Sequence, residues 1–128
     1  MNSENKAAQR GLQKYGELII EYVYDEFLRD IRDLRNGTKK WGIGSEYTQV
    51  MNKLSEADKD KISDLVEQLA STAIFSFLQI FEDHEEFKLV YSDRGKEHNL
   101  AEASEMLKSE HHGDTGWIAR FSKERKAK

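Results

Sequence analysis

No proline occurs in the 128 residues of this chain, where average usage of about 5% would place roughly six. Proline ends or kinks helices, so its absence leaves room for long uninterrupted ones. Glycine is sparse as well, at eight residues, and three of the eight fall within residues 37–45. That segment predicts one loop between two long helical stretches. A length of 128 residues suits a single domain, and 38% hydrophobic residues suffice for one core.

The first stretch runs from Lys6 to Arg35, where Leu12, Tyr15, Ile19, Val23, Phe27, Ile31 and Leu34 recur at steps of three or four. Such a stripe predicts an amphipathic helix with this face in the core. Gly11 and Gly16 lie inside it and cost about 1 kcal/mol each relative to alanine, which predicts frayed first turns or a late start. Asn36-Gly37 supplies the stop. The loop beyond it carries Trp41 and Ile43, apolar side chains that should dock. Ser45 then opens a short helix to about Leu54, with Tyr47, Val50, Met51 and Leu54 on one face.

Ser55 and Asp58 form a near capping box that starts the second long helix, in which Ile62, Leu65, Val66, Leu69, Ala73, Phe77 and Phe81 take helical spacing. This helix ends in Glu82, Asp83, Glu85 and Glu86, an unfavourable set against the negative end of a helix dipole, which calls for a cationic neighbour. Residues 87–91, FKLVY, have strand character, and Ser92 to Gly95 can turn into a second strand. Asn99 caps a helix expected to reach about Ser109, and Trp117, Ile118 and Phe121 close the apolar inventory.

These elements predict a mainly α fold with a minor β element. Two long antiparallel helices are joined by shorter ones and by a β-hairpin or strand near 87–99. The expected core is Ile19, Val23, Phe27, Ile31, Leu65, Leu69, Phe77, Phe81, Leu89 and Trp117. One domain should span 1–122, with residues 123–128 a charged, disordered tail.

The chain has no cysteine, which excludes disulfides, a thiol nucleophile and thiolate-bound metal. The only transition-metal ligand set left is His84, His111 and His112 with nearby acids, but none has the i, i+4 spacing of a helical zinc motif. A metal-binding protein or enzyme built on these histidines is the alternative reading. The other reading of the same residues is exposed loop histidines that titrate near pH 6.5. No cofactor motif appears: the glycines of residues 37–45 are not followed by Lys-Ser/Thr, and Gly42 to Glu46 does not match a nucleophile elbow. The chain reads as a non-enzyme.

Charge is the remaining signal. The net charge is −4, yet residues 55–86 hold nine acidic against two basic residues, and residues 118–128 hold one against five. A segment with seven surplus negative charges repels nucleic-acid phosphates and attracts cationic surfaces. Lys14, Glu17 and Glu21 break any apolar run near the amino terminus, and the longest weakly charged stretch, residues 69–81, is too short for a bilayer span. The expectation is a cytoplasmic protein that touches neither membrane nor nucleic acid.

A compact acidic domain with loop aromatics suits a binding module that neutralises a cationic protein such as a toxin or nuclease. Its expected contacts are Glu56, Asp60, Asp64, Glu67, Glu82, Asp83, Glu85 and Glu86, with Trp41 as an anchor. The profile is similar in type to small bacterial immunity proteins and other nuclease inhibitors, without a motif that defines such a family. A structural homodimer through the long-helix pair is the second alternative.

Overall fold

The structure is a computed structural model that describes residues 3–39, 42 and 44–125. Helix α1 (Ser3–Ile19) passes through one π-helical turn, Ile20–Tyr24, into α2 (Asp25–Asn36). Gly37, at φ 73°, closes α2 through backbone bonds to Asp33 and Leu34. A 3₁₀ turn, Ser45–Tyr47, leads to α3 (Thr48–Asn52) and then to α4 (Glu56–Asp83). Ser55 caps α4 by accepting the Asp58 N–H at 3.1 Å. Strands β1 (Val90–Asp93) and β2 (Lys96–Asn99) form an antiparallel hairpin, followed by α5 (Leu100–Ala103), a 3₁₀ turn at Leu107–Ser109 and α6 (Trp117–Phe121). The fold is mainly α with a small two-stranded sheet, as the sequence predicts.

The two long helical arms are antiparallel. Tyr24 bonds Glu67, while Arg35, eleven residues on, meets Glu56 and Asp60. The core lies where the amino-terminal half of the first arm meets the carboxyl-terminal half of α4, and there Leu12, Ile20, Tyr24, Ile74, Leu78, Leu107 and Trp117 are fully buried.

Gly11 and Gly16 do not delay the helix; they admit neighbours. A Cβ at Gly16 would lie 2.5 Å from the Trp117 indole, and one at Gly11 would collide with the Tyr91 ring. Each glycine therefore trades helix propensity for close approach of an aromatic ring. The π turn has a parallel consequence. One extra residue in a helical turn rotates the side chains beyond it, so Ile20, Tyr24 and Asp25 turn inward. Val23 is left half-buried, and Phe27, predicted for the core, is 46% exposed.

The same correction is larger on α4. Leu65, Leu69 and Phe77, all predicted for the core, are exposed, and the buried face is Ala70, Ile74 and Leu78. Ile19 and Trp117 are buried as expected, while Ile31, Phe81 and Leu89 are partly so.

The hairpin turns at Arg94-Gly95, both at positive φ (53° and 82°), a pair of left-handed residues that matches strand twist. Asn99 caps α5 through the Ala101 N–H, but that helix ends at Ala103 rather than near Ser109. Ser104 ends it by accepting the Met106 N–H and donating to Glu110. At the carboxyl end, Lys123, Glu124 and Arg125 make contacts with the body of the fold, and residues 126–128 of the predicted tail lie outside the described residues. Buried Asp25 accepts from the Ser122 hydroxyl at 2.6 Å and the Lys123 N–H at 2.9 Å, and Glu124 lies between Arg29 and Arg32.

Candidate functional site: the acids and the outer face of α4

Helix α4 carries most of the residues singled out by charge, and the fold divides them. Arg35, from the end of α2, reaches Glu56 at 2.9 Å and Asp60 at 2.5 Å. That guanidinium, with Lys59 behind it, holds the Glu56 carboxyl below the ordinary carboxylate range. Glu67 takes the Tyr24 hydroxyl at 2.8 Å and Arg125 at 3.2 Å. Burial, and then this bond to Glu67, push the Tyr24 phenol well above its usual value. Glu82 accepts the Lys108 backbone N–H and faces its ammonium at 3.9 Å. Lys108 is thus the cationic neighbour that the acidic helix end requires, and its ammonium also lies 5.8 Å from the Phe75 ring.

Four of the eight predicted contact acids are therefore paired with an arginine or lysine within the molecule. Asp64, Asp83, Glu85 and Glu86 are exposed to solvent. Among the described residues, Asp83 accepts from the Gln79 amide, and Glu86 faces the exposed His84 at 3.2 Å. Trp41 lies outside the described residues.

Two clefts border α4. One, of about 600 Å³, is lined by Tyr24, Asp64, Glu67, Ser71, His111 and Arg125 among others. His111 is 2% exposed, its Nε2 is 3.1 Å from the Ser71 hydroxyl, and burial, with His112 beside it, pushes its pKa down. This Ser–His contact lacks the parts of a nucleophilic site. Ser71 is in the middle of a helix rather than on an exposed turn, and no carboxylate among the described residues orients the ring. The second cleft, of about 560 Å³, lies at the carboxyl end of α4 and is lined by Glu82, Glu85, Glu102, Glu105, Phe87 and Lys88 among others.

The three histidines are not brought together. His111 packs on Ser71, whereas His84 ends α4 thirteen residues later, about 20 Å along the helix axis. Among the described residues, no group of three or more His, Asp or Glu side chains is placed to hold a metal ion. No helix among them is long and apolar enough to cross a membrane.

The least expected part of the site is apolar. Leu65 is 55% exposed, Leu69 57%, Phe77 46%, Ile80 45% and, just past the helix, Phe87 58%. Leu65, Leu69 and Ile80 lie on one face with exposed Thr72, Ala73 and Ser76 between them. This outer face, apolar at Leu65, Leu69 and Ile80 and small or polar between them, ends at Asp83, Glu85 and Glu86.

Sequence reasoning found the acids but missed Tyr24, Lys108 and Arg125, which engage Glu67 and Glu82, and Asp25, which holds the carboxyl end. Their partners lie 26 to 98 residues away, and no local spacing encodes such pairs. No family model, curated protein or solved structure matches this chain.

Proposed function

We propose that this chain is a protein-binding module whose outer α4 face engages a cationic protein. One observation carries the reading: Leu65, Leu69 and Phe77, which periodicity assigns to the core, face solvent, and the helix ends in acids that no lysine or arginine among the described residues neutralises. Exposed contiguous apolar surface with a charged rim is the usual anatomy of an interface. Aromatic and aliphatic anchors supply affinity, and the acids steer encounter and choose the partner's sign. A nuclease or another basic toxin suits this charge, because a site that binds phosphates is cationic by necessity. Neutralising such a partner is the role this charge implies.

The test is retention of a basic protein from source lysate on the immobilised chain, followed by affinity measurement with the purified partner. The combined reversal D83K/E85K/E86K should weaken binding at least tenfold and flatten its salt dependence. Unchanged affinity after that reversal overturns the proposal.

A further inference from the structure

The outer stripe of α4 has a length, a relief and a charge gradient, and together they restrict what fits it. From Leu65 to Ile80 it spans fifteen residue-to-residue steps, about 22 Å at the rise of an α-helix. Leu65 and Leu69 stand at one end and Ile80 at the other, with Thr72, Ala73 and Ser76 as a low saddle between them. Small side chains at the middle of a helix face let another backbone come close, and the larger ones beside them fill the grooves of a second helix. The charge runs one way. At the amino end Asp58 and Asp64 stand against Lys61, a surplus of one negative charge. At the other, Asp83, Glu85 and Glu86 join the negative end of the helix dipole and the glutamate-lined cleft beside Phe87.

We propose that α4 receives an amphipathic helix of the partner, which crosses it at Ala73 and lays a Lys/Arg-rich end over Asp83, Glu85 and Glu86. The inference rests on the reading of the chain as a module for cationic proteins and adds the shape of the occupant. A second copy of this chain is a poorer fit. Packed antiparallel, it offers the acids an end with a surplus of one negative charge (Asp58 and Asp64 against Lys61); packed parallel, it sets acid against acid.

The experiment uses the full chain and synthetic helical peptides of eighteen residues, with a leucine stripe and lysines gathered at one end. A peptide of the same composition with the stripe scrambled is the control. Ala73→Trp fills the saddle and leaves every charge in place, with Ser76→Trp as an independent variant of the same kind. Binding of the striped peptide should fall at least tenfold in both variants, and in E85K/E86K, and the scrambled peptide should bind the unaltered chain as weakly. Unchanged binding by both folded tryptophan variants overturns the helical occupant. Weakening by E85K/E86K alone, with the saddle variants silent, also overturns it while leaving the cationic-partner reading in place. A concentration-dependent dimer of the chain, abolished by Ala73→Trp, assigns the face to a second copy and overturns the inference as well.

Discussion

Helices α1 and α4 both carry large apolar residues at helical spacing, and the molecule uses them in opposite ways. In α1 the stripe is inside: Leu12 and Ile19 are buried, and Gly11 and Gly16 draw Tyr91 and Trp117 onto the helix. In α4 the stripe of Leu65, Leu69 and Ile80 is outside, and a second, narrower face of Ala70, Ile74 and Leu78 meets the core. Periodicity marks a face that gains by losing water. It does not say whether the surface that covers it belongs to the same chain.

The sharpest way to break this contrast is to empty the buried side. Trp117→Ala should cost about 3–5 kcal/mol of unfolding free energy, the usual range for losing a buried aromatic, read from denaturant titration. A loss below about 1 kcal/mol would mean that the α1 side is not packed as described. Asp25→Ala comes next. Its carboxylate is 2% exposed and ties down Ser122 and Lys123, so its removal should cost about 2–3 kcal/mol and expose the carboxyl-terminal residues to proteolysis. A variant as stable and as protease-resistant as the parent would show that the tail is held elsewhere.

Gly16→Ala is a subtler probe because two effects oppose each other. Alanine gains about 1 kcal/mol of helix propensity, but its Cβ would sit 2.5 Å from the Trp117 indole. Overpacking costs about 1–3 kcal/mol, so the net change should be destabilising. A stabilised variant would show that the indole can move aside.

What was legible in the sequence divides along the same line. The antiparallel pair, the Ser55 and Asn99 caps, the Gly37 stop and the presence of a hairpin are legible in the sequence, although the first strand is Val90–Asp93 rather than residues 87–91 and the turn is Arg94-Gly95. The inner face of α4 is not. Ala70, Ile74 and Leu78 are a thinner stripe than Leu65, Leu69 and Phe77, and only Tyr24, Ser71 and His111, placed by a π turn and a distant loop, make the polar flank of that face internal. The acids were visible by type, but their neutralisation by Arg35, Lys108 and Arg125 depends on tertiary contacts.

His111 gives a probe of the buried flank by pH. Burial depresses its pKa in the folded state, so the unfolded chain takes up the proton first as pH falls. The stability this group contributes is complete above its ordinary value near 6.5 and is lost as pH falls through the lower folded value. Unfolding free energy should therefore decline between pH 7.5 and 5, and the decline should be shallower in His111→Gln. An equal slope in the two proteins would place the titration elsewhere.

The smallest expected effect tests the other half of the contrast. Leu65→Ser with Leu69→Ser removes two large apolar groups from a helix, a change that in a core would cost several kcal/mol. Both residues are more than half exposed, so the change should stay within about 0.5 kcal/mol for each. If α4 is covered only in a complex, the double variant should unfold like the parent at every protein concentration while losing affinity for a partner. A loss above about 2 kcal/mol that grows with protein concentration would mean that copies of the chain cover each other's stripes, and the surface offered to a partner would then have to lie elsewhere.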